Sequence, residues 1–152
     1  MTGYGSRPSD GISYKQRYLT EVLDQLDLQR VHFLGNIPYA AFLAVLQVSS
    51  AHVYLTYPFV LSWSMLEAMS AGALVIGSRT GPVEEVIRHG ENGLLVDFFS
   101  SADVAAAVDE VLEHPDKMQK IREQARQTVI DHYDLKRVCL PRQLELVRRL
   151  SE

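Results

Sequence analysis

The sequence predicts an α/β fold in which a parallel sheet is wrapped by helices. Three observations predict it. Short β-branched or apolar runs alternate with segments of helical periodicity. The most apolar runs lack in–out alternation, as strands covered on both faces should. Gly, Pro and Asn-Gly signals punctuate the joins.

The elements follow in order. Residues 1–13 are rich in Gly, Ser, Pro and Asp and read as loop. From Tyr14 to Leu28, Tyr18, Leu19, Val22, Leu23 and Leu26 share one helical face. Val31-His32-Phe33-Leu34, closed by Gly35, reads as a strand. Pro38 opens a second helix with Phe42, Leu43, Leu46 and Val48 pointing inward. His52 to Thr56 is the next strand. A loop from Tyr57 to Ser62 leads into a helix from about Trp63 to Ser70, ended by Gly72. Ala73 to Ser78 is the most buried-looking strand, and Gly81-Pro82 turns into a short helix around Val83 to Arg88. Asn92-Gly93 then makes a tight turn before Leu94-Leu95-Val96. The remainder is helical: Ser100 or Ser101 caps one helix, Pro115 starts another, and Asp134 caps a last one, residues 134–152, which Pro141 should kink. Four strands result, in one domain spanning residues 1–152.

Composition bounds the function. An apolar share of 47% with 22% charged residues is that of a globular chain. The formal charge is −4, with Lys and Arg scattered rather than striped, so duplex nucleic acid is not an expected partner. Cys139 is the only cysteine, which fits a reducing compartment. No apolar run is long enough to span a bilayer and no signal-peptide pattern opens the chain, so the expected location is cytoplasmic, with peripheral contact at the inner face of a membrane left open. No His, Cys or carboxylate spacing suggests a metal, and no cofactor is expected.

In parallel α/β sheets, ligands sit beyond the C-terminal ends of the strands. That rule selects residues 35–38, 56–64 and 79–85. Within Thr56 to Gly72 a strand ends and a helix begins, its first amides aimed into the crevice, where they attract phosphate. One turn further in, Glu67 can reach the same crevice, and a carboxylate accepting two vicinal hydroxyls is the usual way to hold a ribose. The bland alternative is that Ser64-x-x-Glu67 is a capping box. Glu85 reads either as a ligand contact or as a first-turn acid. Arg79, just past a strand end, reads as a phosphate contact or, preferably, as a solvated loop arginine. His89, His114 and His132 sit near helix ends, where the dipole favours a cation.

Leu66-Glu67-Ala68-Met69-Ser70-Ala71-Gly72, Val75-Ile76, Thr80-Gly81 with Glu85-Val86-Ile87, and Asn92-Gly93-Leu94-Leu95-Val96 occur in sequence. Together they resemble the donor-binding domain of family-four retaining glycosyltransferases, whose GT-B fold sets two Rossmann-like domains across a cleft. Val31 to Gly35 and Ser49 to Val53 fit the same pattern. The resemblance assigns Glu67, the second of the family's two hallmark glutamates, to the nucleotide ribose. The first would fall on Phe59, and the glycine-rich loop after it is here Val60-Leu61-Ser62. Backbone amides of Ser62, Trp63 and Ser64 can still serve sugar and phosphate. The family's diphosphate-binding Arg and Lys and its acceptor-binding N-terminal domain have no counterpart, so the sequence reads as the C-terminal half of a GT-B fold, truncated on its N-terminal side and inactive alone.

The resemblance implies transfer of a sugar from a nucleotide-sugar to an unknown acceptor with retention of configuration. A nucleotide-sugar epimerase and a non-catalytic interaction module are the alternatives. Catalytic residues are not identified. Leu140, Leu144 and Val147 line one face of the last helix, and self-association through that face or an uncovered sheet edge is expected.

Overall fold

A computed structural model describes residues 11–57 and 60–151, which fall into two compact units divided between Pro38 and Tyr39. In the first, helix α1 (Tyr14–Val22) begins at a capping box: the Ser13 hydroxyl accepts the Gln16 N–H while the Gln16 side chain accepts the Ser13 N–H. It ends six residues short of Leu28. A 3-10 turn at Leu23–Gln25 follows, and the Asp27 carboxylate takes the Gln29 N–H, an Asx turn that competes with helix. Val31 to Leu34 forms no strand. β-propensity describes fit to a pleated neighbour, and no backbone ladder reaches these residues. Phe33 is instead exposed beneath the Lys15 ammonium, 4.0 Å from its ring centroid.

The second unit carries the sheet. Strands β1 (His52–Tyr54), β2 (Val75–Ser78) and β3 (Leu94–Val96) run parallel in the order β1-β2-β3. His52 pairs with Val75 and Ile76 with Leu94. Helix α2 (Tyr39–Val48) precedes β1, α3 (Trp63–Ala71) connects β1 to β2, and α4 (Gly81–Glu84) lies between β2 and β3. Then come α5 (Ser101–Glu113), capped by Ser100, α6 (Pro115–Tyr133) and α7 (Leu140–Ser151).

Alternation along β2 and β3 divides the core. Val75 and Leu95 face a cluster with Leu46, Met65, Met69 and Ile87. Leu74, Ile76, Leu94 and Val96 face another with Val111 and Met118. Every residue of β2 and β3 is buried, as two covered faces require. In α2, Phe42, Leu43 and Leu46 pack inward as the spacing predicts, but Val48 is 82% exposed. It stands two residues, hence about 200°, around the helix from Leu46.

One further expectation is corrected. The helix after Gly81-Pro82 stops at Glu84, because the buried Asn92 side chain takes the Arg88 N–H at 2.7 Å and donates to the Val86 carbonyl at 3.0 Å. Asp134 caps the last helix, whose first turn is π-helical (Leu135–Cys139) and runs without a break into α7 (Leu140–Ser151); the wide turn directly before Pro141 is where that residue, with no N–H to give, departs from the regular ladder. Leu140, Leu144 and Val147 are all exposed.

His52 supplies a pH handle. Partial burial disfavours its imidazolium and lowers its pKa below the ordinary value. The folded chain therefore binds this proton less readily than the unfolded one. Its contribution to stability is complete above about pH 6.5 and is lost as pH falls through the lowered folded-state pKa. Melting temperature should drop on acidification below that point. In His52→Val the acid limb should be shallower, and an unchanged limb would assign the loss elsewhere.

Candidate functional site

The C-terminal end of the sheet is tied together by two groups that a sequence reading takes only as strand residues. The fully buried Ser78 hydroxyl donates to the Thr56 carbonyl at 2.7 Å and accepts the Thr56 N–H at 3.0 Å. The Tyr54 hydroxyl accepts the Ser62 N–H at 2.9 Å. The chain leaving β1 is thus fixed at Thr56 and again at Ser62, where α3 begins.

Ser62 is the N-cap, with extended backbone, and its hydroxyl lies 3.4 Å from the Ser64 nitrogen and 3.0 Å from the Ser64 hydroxyl. The Met65 N–H turns back to the Ser62 carbonyl. Trp63 is 84% exposed at the helix tip. At the other end Gly72 adopts φ 82°, which only glycine takes without strain, and its N–H closes on Ala68 and Met69. Arg122 of α6 donates to the Gly72 carbonyl at 2.6 Å, and Arg126 donates to that of Ser70. Cations on the last carbonyls complement the helix dipole.

This geometry removes the capping-box alternative. With Ser62 as N-cap, the third helical residue is Met65, so Glu67 lies too far along to serve the first amides. Its carboxylate, on a partly buried residue, accepts the Tyr39 hydroxyl of α2 at 2.9 Å. That hydrogen bond raises the Tyr39 pKa above its ordinary value, with desolvation and the Glu67 charge adding to it.

Ser62, Trp63, Ser64 and Glu67 therefore share the first two turns of one helix. Arg79 and Glu85 are placed differently. Arg79 follows β2; its N–H donates to Val96, and its guanidinium pairs with Glu84 at 3.6 Å, with both side chains about half exposed. An ion pair so exposed contributes about 0.2–1 kcal/mol. Glu85 is the C-cap of α4, not a first-turn acid, and lines a cavity of about 360 Å³ with Arg88, Asn92, Thr128, His132 and Arg142. The Thr80 hydroxyl next to Arg79 is buried without a hydrogen-bond partner. His89 does not serve a helix end: its Nδ1 accepts the Leu95 N–H at 2.9 Å. Phe59 lies outside the described residues. Among those described, no group of three or more His, Cys, Asp or Glu is placed to hold a metal, and no helix is long and apolar enough to cross a membrane.

Residues 11–128 match the family described as glycosyl transferases group 1. N-acetyl-alpha-D-glucosaminyl L-malate synthase of Bacillus anthracis is 31% identical over 104 residues, 68% of this chain and 27% of that protein. Sucrose-phosphate synthase of Thermosynechococcus elongatus superposes with a TM-score of 0.77 at 24% identity, over 96% of this chain and 37% of that one. HepE of Anabaena, solved in complex with UDP-glucose, gives a TM-score of 0.74 at 21% identity, over 93% and 38%. The chain spans less than half the length of each. Its helix-flanked parallel sheet matches these GT-B structures, and the chain belongs to the glycosyl transferases group 1 family, as a domain of the C-terminal type.

Proposed function

We propose that this domain binds the donor of a retaining glycosyltransferase, a nucleotide-sugar. Glu67 accepts the ribose hydroxyls, and the amides of Trp63 and Ser64 meet phosphate and sugar; the Ser62 N–H, expected to join them, is already given to the Tyr54 hydroxyl. One observation carries the reading: Glu67 is free of any capping duty and stands beside the tip of α3, whose first amides face the C-terminal end of a parallel sheet. Relatives support the donor class, since HepE is solved with UDP-glucose. Arg79 and Glu85 are proposed only as peripheral contacts, because Arg79 pairs with Glu84 and Glu85 lines the cavity beside α6. No metal or cofactor is required in this reading, and the compartment is cytoplasmic.

The full-length protein, supplied with a panel of nucleotide-sugars, should release nucleotide with one donor class and retain the anomeric configuration. A protein that binds none of the panel would instead be an interaction module, a reading favoured by Phe59 and the glycine-free Val60-Leu61-Ser62 in place of the family's glutamate and glycine-rich loop.

The 152-residue chain by itself should release no nucleotide. Transfer requires an acceptor held against the anomeric carbon, a positioning effect that a donor site alone does not supply. In light scattering the isolated chain should self-associate through the exposed face of α7. Turnover by a strictly monomeric chain would overturn the division of labour between two domains.

A further inference from the structure

We infer that Tyr39 is a positioning residue for Glu67 and that the Tyr39–Glu67 pair selects a ligand bearing a vicinal diol, a ribonucleotide over its 2′-deoxy counterpart; the inference rests on the ribose reading of Glu67. Tyr39 is the first residue of α2 and Glu67 sits on α3, so a contact between two helices joins them across 28 positions. The phenol ring leans on Phe42, with centroids 6.2 Å apart, and Phe42 packs against the core. The hydroxyl is thereby aimed from a fixed base, although the residue is 61% exposed. A flexible glutamate on a helix surface samples several rotamers, and a hydrogen bond from an anchored donor restricts it to one.

The chemistry of the pair follows from proton counting. A phenol has one proton, and here it goes to Glu67 Oε1. Every lone pair left on the phenol oxygen and on the carboxylate is then an acceptor. The raised Tyr39 pKa keeps that proton in place at neutral pH. Two adjacent acceptor oxygens match two adjacent hydroxyl donors. A 2′-deoxyribose offers one donor and leaves the pair partly unused, which is how polar sites discriminate most strongly.

The test measures calorimetric affinities of the full-length protein for UDP, ADP and GDP, each against its 2′-deoxy form. The unsubstituted protein should prefer one ribonucleotide over its deoxy partner. Tyr39→Phe should weaken that ribonucleotide about three- to tenfold. The deoxy form should change little, so the ratio collapses. In a Glu67→Gln background, Tyr39→Phe should add almost nothing. A merely structural Tyr39 would lower both affinities together and leave the ratio intact; that result overturns the inference while sparing the ribose reading if Glu67→Gln alone still reduces the ratio. If Glu67→Gln leaves it unchanged too, or none of the nucleotides binds, both fall.

Discussion

Glu67→Gln in the full-length protein should weaken nucleotide-sugar binding by roughly tenfold or more. Hydrogen bonds to a charged group contribute about 1.5–3 kcal/mol each, and about 1.4 kcal/mol is one decade of affinity. Glutamine keeps the volume and one acceptor but replaces the other oxygen with a donor, which meets a ribose hydroxyl and the Tyr39 proton less well. The substitution leaves the Ser62 cap and the Arg122 and Arg126 contacts of α3 untouched, so the fold should survive. Calorimetry on a folded variant decides it: unchanged donor affinity would sink the assignment.

Asn92→Ala should cost substantial stability. Asn92 is 4% exposed, and its side chain meets the Arg88 N–H, the Val86 carbonyl and the Thr128 hydroxyl. Truncation leaves the Val86 carbonyl without its partner in a buried position and the Arg88 N–H without its partner in a half-buried one, at about 1–3 kcal/mol for each such group. A total of about 2–4 kcal/mol should lower the melting temperature by roughly 5–15 °C in a chain of this size. Thr128→Ala, which removes only the outermost of the three contacts, should cost clearly less. If the two variants melt together, the turn is held by other groups.

The contrast between Asn92 and Glu67 shows where the sequence was legible. Helix α3 could be read almost to the residue, because Ser62 at its start and Gly72 at its end are local signals with local causes. The burial of Ala73 to Ser78 could be read as well, since a run without alternation needs cover on both faces. Val31 to Leu34 misled, because its residues suit a strand but strand formation depends on a partner that composition does not reveal. Asn92 read as a turn residue only; that its amide crosses to Thr128 on α6 is tertiary information. The same holds for the site. Glu67 was marked by its motif, whereas Tyr39, Tyr54 and Ser78 gave no local sign, each acting through a partner on another element.

Helix α3 is gripped from both directions, by Tyr54 at its N-cap and by two arginines of α6 at its last carbonyls. Fixing one residue's backbone removes about 1–2 kcal/mol of conformational entropy, and for these residues that loss belongs to folding. A ligand arriving at the tip meets amides already oriented, so little of its binding energy is diverted into ordering the helix. The same arrangement makes affinity heritable from a distance. The residues that hold α3 include side chains 50 or more positions away in the chain, on a helix that packs along it.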